Sequence, residues 1–135
     1  MDILTFELKY IEYSIIDGIL FENAVFVNII INSIKVNITE DTLSIASELI
    51  KSSKGSGQYL IFTSISGIAD ELGWNYINVT HKHNVINWYF EYENQIYNYN
   101  FSKIQYIDII YNLEQKINNI PNKFHVEPSE VVFPE

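Results

Sequence analysis

Between Leu4 and Tyr10 the chain alternates: Leu4, Phe6, Leu8 and Tyr10 are separated by Thr5, Glu7 and Lys9. A period of two is the spacing of a strand with one covered and one wet face. After Ser102 the period changes. Ile104, Ile107, Ile110, Tyr111, Leu113, Ile117 and Ile120 recur at intervals of three and four, the stripe of an amphipathic helix. A chain holding both periods must build a sheet and lay a helix on it, which restricts it to a few layered architectures.

The segments between follow the same logic. Asp17-Gly18 is a turn signal. Residues 24–38 are rich in Val and Ile and predict a second β stretch, with Asn32-Ser33 as a turn inside it. Residues 41–53 predict a helix with Leu43, Ala46, Leu49 and Ile50 on one face, Thr39 or Asp41 as cap and Gly55 as stop. Tyr59 to Thr63 predicts a buried strand, and residues 64–73 a loop. Residues 74–81 and 85–93 predict a hairpin turning at Lys82-His83-Asn84, and residues 95–101 add a strand after Glu93-Asn94. Ser102 and Gln105 have capping-box spacing before the last helix, which Pro121 ends. The expectation is a single α+β domain over 1–135, an antiparallel sheet with two main helices on one face. From about 122 the chain is expected to be an irregular tail.

Charge narrows function. The chain carries 17 acidic residues against eight lysines and no arginine, a net charge of −9. Phosphate backbones need a basic footprint, so nucleic acid is not an expected partner. An anionic membrane is disfavoured for the same reason. A field of this sign speeds encounter with a basic protein, and it also serves solubility. There is no cysteine, hence no disulfide and no thiolate nucleophile or ligand. No basic start with an apolar run is present, so the expected compartment is the cytoplasm.

Few constellations offer chemistry. His81 and His83 would share a side on a strand, as a metal pair does, but no third ligand is near in sequence. Surface histidines beside a turn are the simpler reading. Glu91 and Glu93 alternate with Trp88, Phe90 and Tyr92 as an outward strand face does, although paired carboxylates also serve hydrolysis. Ser64 and Ser66 lack a nucleophile elbow. Gly55-Ser56-Gly57 follows a helix instead of opening one and lacks the later Gly-Lys-Ser/Thr of a phosphate loop. No catalytic residue, metal or cofactor is expected. The aromatics Tyr76, Trp88, Tyr89, Tyr92, Tyr97 and Tyr99 crowd one β region. Cross-strand packing and an exposed protein-binding surface are both open readings, and they can coexist.

From Phe62 the chain reads F-T-S-I-S-G-I-A-D-E-L-G, followed by Val79-x-His81 and Trp88. This resembles a family of small bacterial proteins with a pattern like F-T-C-x-C-G-I-A-x-C-x-G, a V-x-H strand and a Trp strand. The matches are Phe62, Thr63, Gly67, Ile68, Ala69, Gly73, His81 and Trp88. Ser64, Ser66 and Glu71 stand where the pattern has cysteines, which puts any metal or redox role of that loop in doubt. The family resembles the immunity proteins encoded beside polymorphic or contact-dependent toxins. The resemblance implies an immunity protein that binds a cognate basic toxin domain, a nuclease, and covers it. On that implication Asp70, Glu71, Tyr76, Glu91 and Glu93 form part of the partner-binding surface, with a solvated loop as the alternative for Asp70 and Glu71. A non-enzymatic assembly module is the runner-up, and a small enzyme or ligand carrier comes third.

Overall fold

The computed structural model describes residues 1–35, 42–64 and 76–128. It is an α+β arrangement of mostly antiparallel strands with two helices, as the two periods predict. Strands β1 (Leu4–Ile16) and β2 (Ile19–Ile31) form one long hairpin. The turn residues Asp17 and Gly18 both have positive φ, 51° and 78°. Such pairs match the right-handed twist of the flanking strands. Asn32-Ser33 leads into β3 (Ile34–Lys35), and Glu93-Asn94 joins β8 (Val85–Tyr92) to β9 (Gln95–Ser102). Both of these turns also hold two left-handed residues.

Both strands of the first hairpin outrun the alternating stretch, because Ile11, Tyr13, Ile15 and Ile16 extend it with β-forming residues. Asn23 lies inside β2 with φ 50°. In a regular strand Phe21 and Phe26 point to opposite faces. Here their rings meet edge-on at 5.0 Å in one apolar cluster with Ala24 and Leu43. The left-handed residue reverses which parity points inward. Ile16, beyond it on β1, joins the cluster that Ile11 enters before it.

The chain departs from the expected elements in four places. Thr42–Ser44 is a short strand, β4, and the first helix α1 begins only at Ala46 and ends at Ser52. Leu43 therefore packs on Phe26 from a strand, not from a helix face. Ile45 occupies the cap without a side-chain bond, its N–H donating to the Ile61 carbonyl at 2.7 Å, and Ser53 ends the helix ahead of Gly55. Thr39 and Asp41 lie outside the described residues.

The stretch from Tyr59 to Thr63 is two strands, β5 (Gly57–Tyr59) and β6 (Phe62–Ser64), broken at the buried Leu60-Ile61. Glu48 holds that break: its carboxylate accepts from the Leu60 N–H at 3.0 Å and sits 3.5 Å from Lys51. The tail is not wholly irregular. His125–Val126 form β10, parallel to Ala24 and Val25 of β2. A two-residue strand is too short to show a period. Finally, Ile104, Ile107 and Tyr111 do not face the core. They are exposed, and the buried stripe of α2 (Lys103–Asn118) is Tyr106, Ile110 and Leu113.

The main sheet runs β5-β7-β8-β9, with β7 at Ile77–His81. Its inner face carries Ile77, Val79, Ile86, Trp88, Phe90 and Phe101, all buried. Both helices dock on this face through one polar chain. The Trp88 indole N–H donates to the Tyr106 hydroxyl at 3.1 Å, and Tyr106 meets the Ser52 hydroxyl at 2.6 Å. Ser52 in turn donates to the Leu49 carbonyl. Each buried polar group thus has a partner, and Trp88 packs edge-on against Phe101 and Tyr106 at 5.2 and 6.1 Å.

The first hairpin is stitched to the main sheet by Asp2. Its N–H donates to the Asn100 carbonyl at 2.8 Å, and its carboxylate accepts from the Asn100 N–H at 2.7 Å. The other carboxylate oxygen accepts from the Asn32 side chain at 2.9 Å. These bonds, that from Asn32 foremost, hold the Asp2 carboxyl below its ordinary pKa.

Candidate functional site

Alternation leaves the other face of the main sheet uncovered by the two helices. Gln58, Asn78, Tyr89 and Asn98 stand in register across its four strands. Thr80, Asn87 and Asn100 form the next row, and Glu91 pairs with Ile96 on the other side. Tyr76 precedes β7 at the Glu91 end. Tyr76, Tyr89 and Ile96 are 39%, 44% and 65% exposed, large apolar surface on a flat sheet.

The amides brace one another. Gln58 donates to the Asn78 side-chain carbonyl at 3.0 Å. The Asn87 amide donates to Asn98 at 2.7 Å and to Asn100 at 3.0 Å. Each amide has both donor and acceptor groups, so bracing leaves capacity toward a partner. The face therefore offers phenol rings and an Ile for burial, amides for adaptable hydrogen bonds, and carboxylates at one end.

The structure brings Tyr76 and Glu91 onto this face, as the alternation requires. Glu93 differs: it sits in the β8–β9 turn with φ 50°, not on the strand face, because the pair Glu93-Asn94 supplies the left-handed residues that the hairpin needs. Its carboxylate still reaches the same end of the sheet and, second to burial, helps push the Tyr92 phenol up. Asp70 and Glu71 lie outside the described residues. Sequence reasoning missed the amides and Ile96. The signal was Asn at alternate positions 98 and 100, between Tyr97, Tyr99 and Phe101.

The histidines are not a pair. His81 ends β7 half-buried, its Nε2 donating to the Ser52 carbonyl at 2.7 Å, and His83 is exposed in the turn that follows. The turn breaks the strand spacing that would have put them on one side. Ser56 accepts from the His81 backbone N–H at 2.8 Å, so the Gly55-Ser56-Gly57 connector serves the sheet edge. Ser64 belongs to β6, opposite Thr42, and Ser66 lies outside the described residues. Among the described residues no three His, Asp or Glu gather as metal ligands, and no helix is long and apolar enough to cross a membrane. No family model, curated protein or solved structure matches the chain.

Proposed function

We propose that this chain is an immunity-type protein that binds a cognate basic toxin domain, a nuclease, and blocks it by steric and electrostatic occlusion. The carrying observation is the uncovered sheet face, where Tyr76, Tyr89 and Ile96 stand among paired amides beside Glu91 and Glu93. Tyrosine brings contact area at low entropic cost, and Asn brings adaptable hydrogen bonds, the make-up of protein-binding surfaces. The net charge of −9 attracts a cationic partner over a distance and sets on-rate and specificity more than final affinity. The resemblance over Phe62 to Trp88 adds the class of partner. On this reading the chain works in the cytoplasm, catalyses nothing and needs no cofactor.

The test is co-expression with the C-terminal region of any large secreted protein found to be encoded beside this gene. The expected result is restored growth and a complex whose affinity falls as salt rises. Binding without rescue would favour the assembly-module reading, and neither binding nor rescue would end the proposal.

A further inference from the structure

A second surface lies far from that sheet face in sequence and chemistry: the groove between β1 and α2. The Asn32 N–H donates to the Ile3 carbonyl at 2.9 Å, so Ile3 turns its backbone toward β2. Antiparallel pairing alternates these directions. Thr5, Glu7 and Lys9 therefore also bond to β2, while Leu4, Phe6, Leu8 and Tyr10 turn their N–H and C=O groups to the other edge. Asp2 has that outward parity and uses it, donating to Asn100 of β9. Beyond Asp2, no strand among the described residues pairs with this edge.

Helix α2 runs beside the open edge without closing on it. Two cavities of about 570 and 330 Å³ lie between them and share Phe6, Gln115 and Lys116 as walls. One reaches back to Thr5 and Ile109, the other forward to Tyr10 and Asn119. From Thr5 to Tyr10 a strand advances about 17 Å, and from Ile109 to Asn119 a helix advances about 15 Å. The walls thus run side by side in the same direction, a slot about five extended residues long.

The chemistry of the slot selects its occupant. Phe6, Leu8 and Tyr10 form an apolar wall, and Gln115 and Asn119 face them with amides. The Lys116 ammonium stands 5.6 Å over the Phe6 ring and has no carboxylate partner among the described residues. Glu7 also lines the larger cavity, but its carboxylate accepts from the Asn28 side chain at 3.2 Å and makes no ion pair with Lys116. A helix satisfies its own backbone and would leave the β1 edge unmatched, whereas an extended peptide meets it bond for bond.

We propose that the β1–α2 groove is a docking site for an extended segment of a partner protein, which adds as a strand to β1 and sets a carboxylate against Lys116. Its inward side chains alternate apolar and acidic, matching the wall of Phe6 and Leu8. This site is independent of the toxin reading and stands or falls separately.

The probe is the capped pentapeptide Val-Thr-Asp-Thr-Val, whose first, third and fifth side chains point one way, titrated into the isotope-labelled full chain at physiological salt and followed by amide chemical shifts. The expected shifts saturate and cluster on Leu4 to Tyr10 and Asn112 to Asn119. The same peptide with lysine for aspartate binds at least tenfold more weakly, and the fully N-methylated peptide does not bind. Lys116→Glu, an exposed change, reverses the preference between the aspartate and lysine peptides. No saturable shifts, shifts elsewhere on the molecule, equal affinity for both charges, or undiminished binding of the methylated peptide would each overturn the proposal.

Discussion

Two hydroxyl-centred contacts show how single residues set the stability of this molecule. Tyr106 is buried, and its hydroxyl bridges Trp88 on the sheet to Ser52 on α1. Tyr106→Phe keeps the ring but strands the indole N–H, a loss of about 1–3 kcal/mol. Urea unfolding should show a lower midpoint at unchanged slope, and an unmoved midpoint would contradict the bridge. Burial also drives the Tyr106 phenol far above its ordinary pKa. A pKa raised by folding gives stability that is complete below the unfolded value and is lost as pH rises past it. Stability should therefore decline above about pH 10, and Tyr106→Phe should soften that decline. Asp2 has the opposite sign: its folded pKa is lowered, so its contribution is present above the unfolded value and is lost as pH falls through the folded one. Asp2→Asn keeps the shape and removes the titration. Its acid-unfolding curve below about pH 4 should be shallower than that of the parent chain.

At the scale of elements, local chemistry that forces one conformation was legible and chemistry that two conformations share was not. Asp17-Gly18, Asn32-Ser33 and Glu93-Asn94 mark turns because few residues accept positive φ, and each does so here. Leu43 gave no such signal, since an apolar residue near Ala46 fits a helix face as well as the strand that pairs with β6. The α2 helix itself was legible, but not its orientation. Ile104, Ile107 and Tyr111 are as apolar as Ile110 and Leu113, and only the packing of Tyr106 against Trp88 and Phe101 decides which side is inside. Asn23 tests the account of the β1–β2 ribbon. If its left-handed φ reverses the inward face, Asn23→Gly should leave stability nearly unchanged, whereas Asn23→Val should cost about 1–2 kcal/mol. Equal stability of the two variants in thermal unfolding would show that the reversal does not depend on that backbone conformation.

At the scale of the whole molecule, the division of surfaces follows from where the helices land. With both on one face of β5-β7-β8-β9, the opposite face keeps Tyr76, Tyr89, Glu91 and Ile96 in the open. Tyr76 and Glu91 were legible from alternation along one strand. The amide rows were not, because Gln58, Asn78, Asn87 and Asn98 come together only through the register of four strands. The groove was less legible still, since it depends on β1 and α2 lying side by side from opposite ends of the sequence. Tyr89, near the centre of the uncovered face, is the side chain on which the binding account rests. The most direct measurement is calorimetric titration of the proposed toxin domain into the parent chain and into Tyr89→Ala. The account predicts tight binding by the parent, at least thirtyfold weaker binding by the variant, and the same thermal unfolding for both. Equal affinities would contradict it.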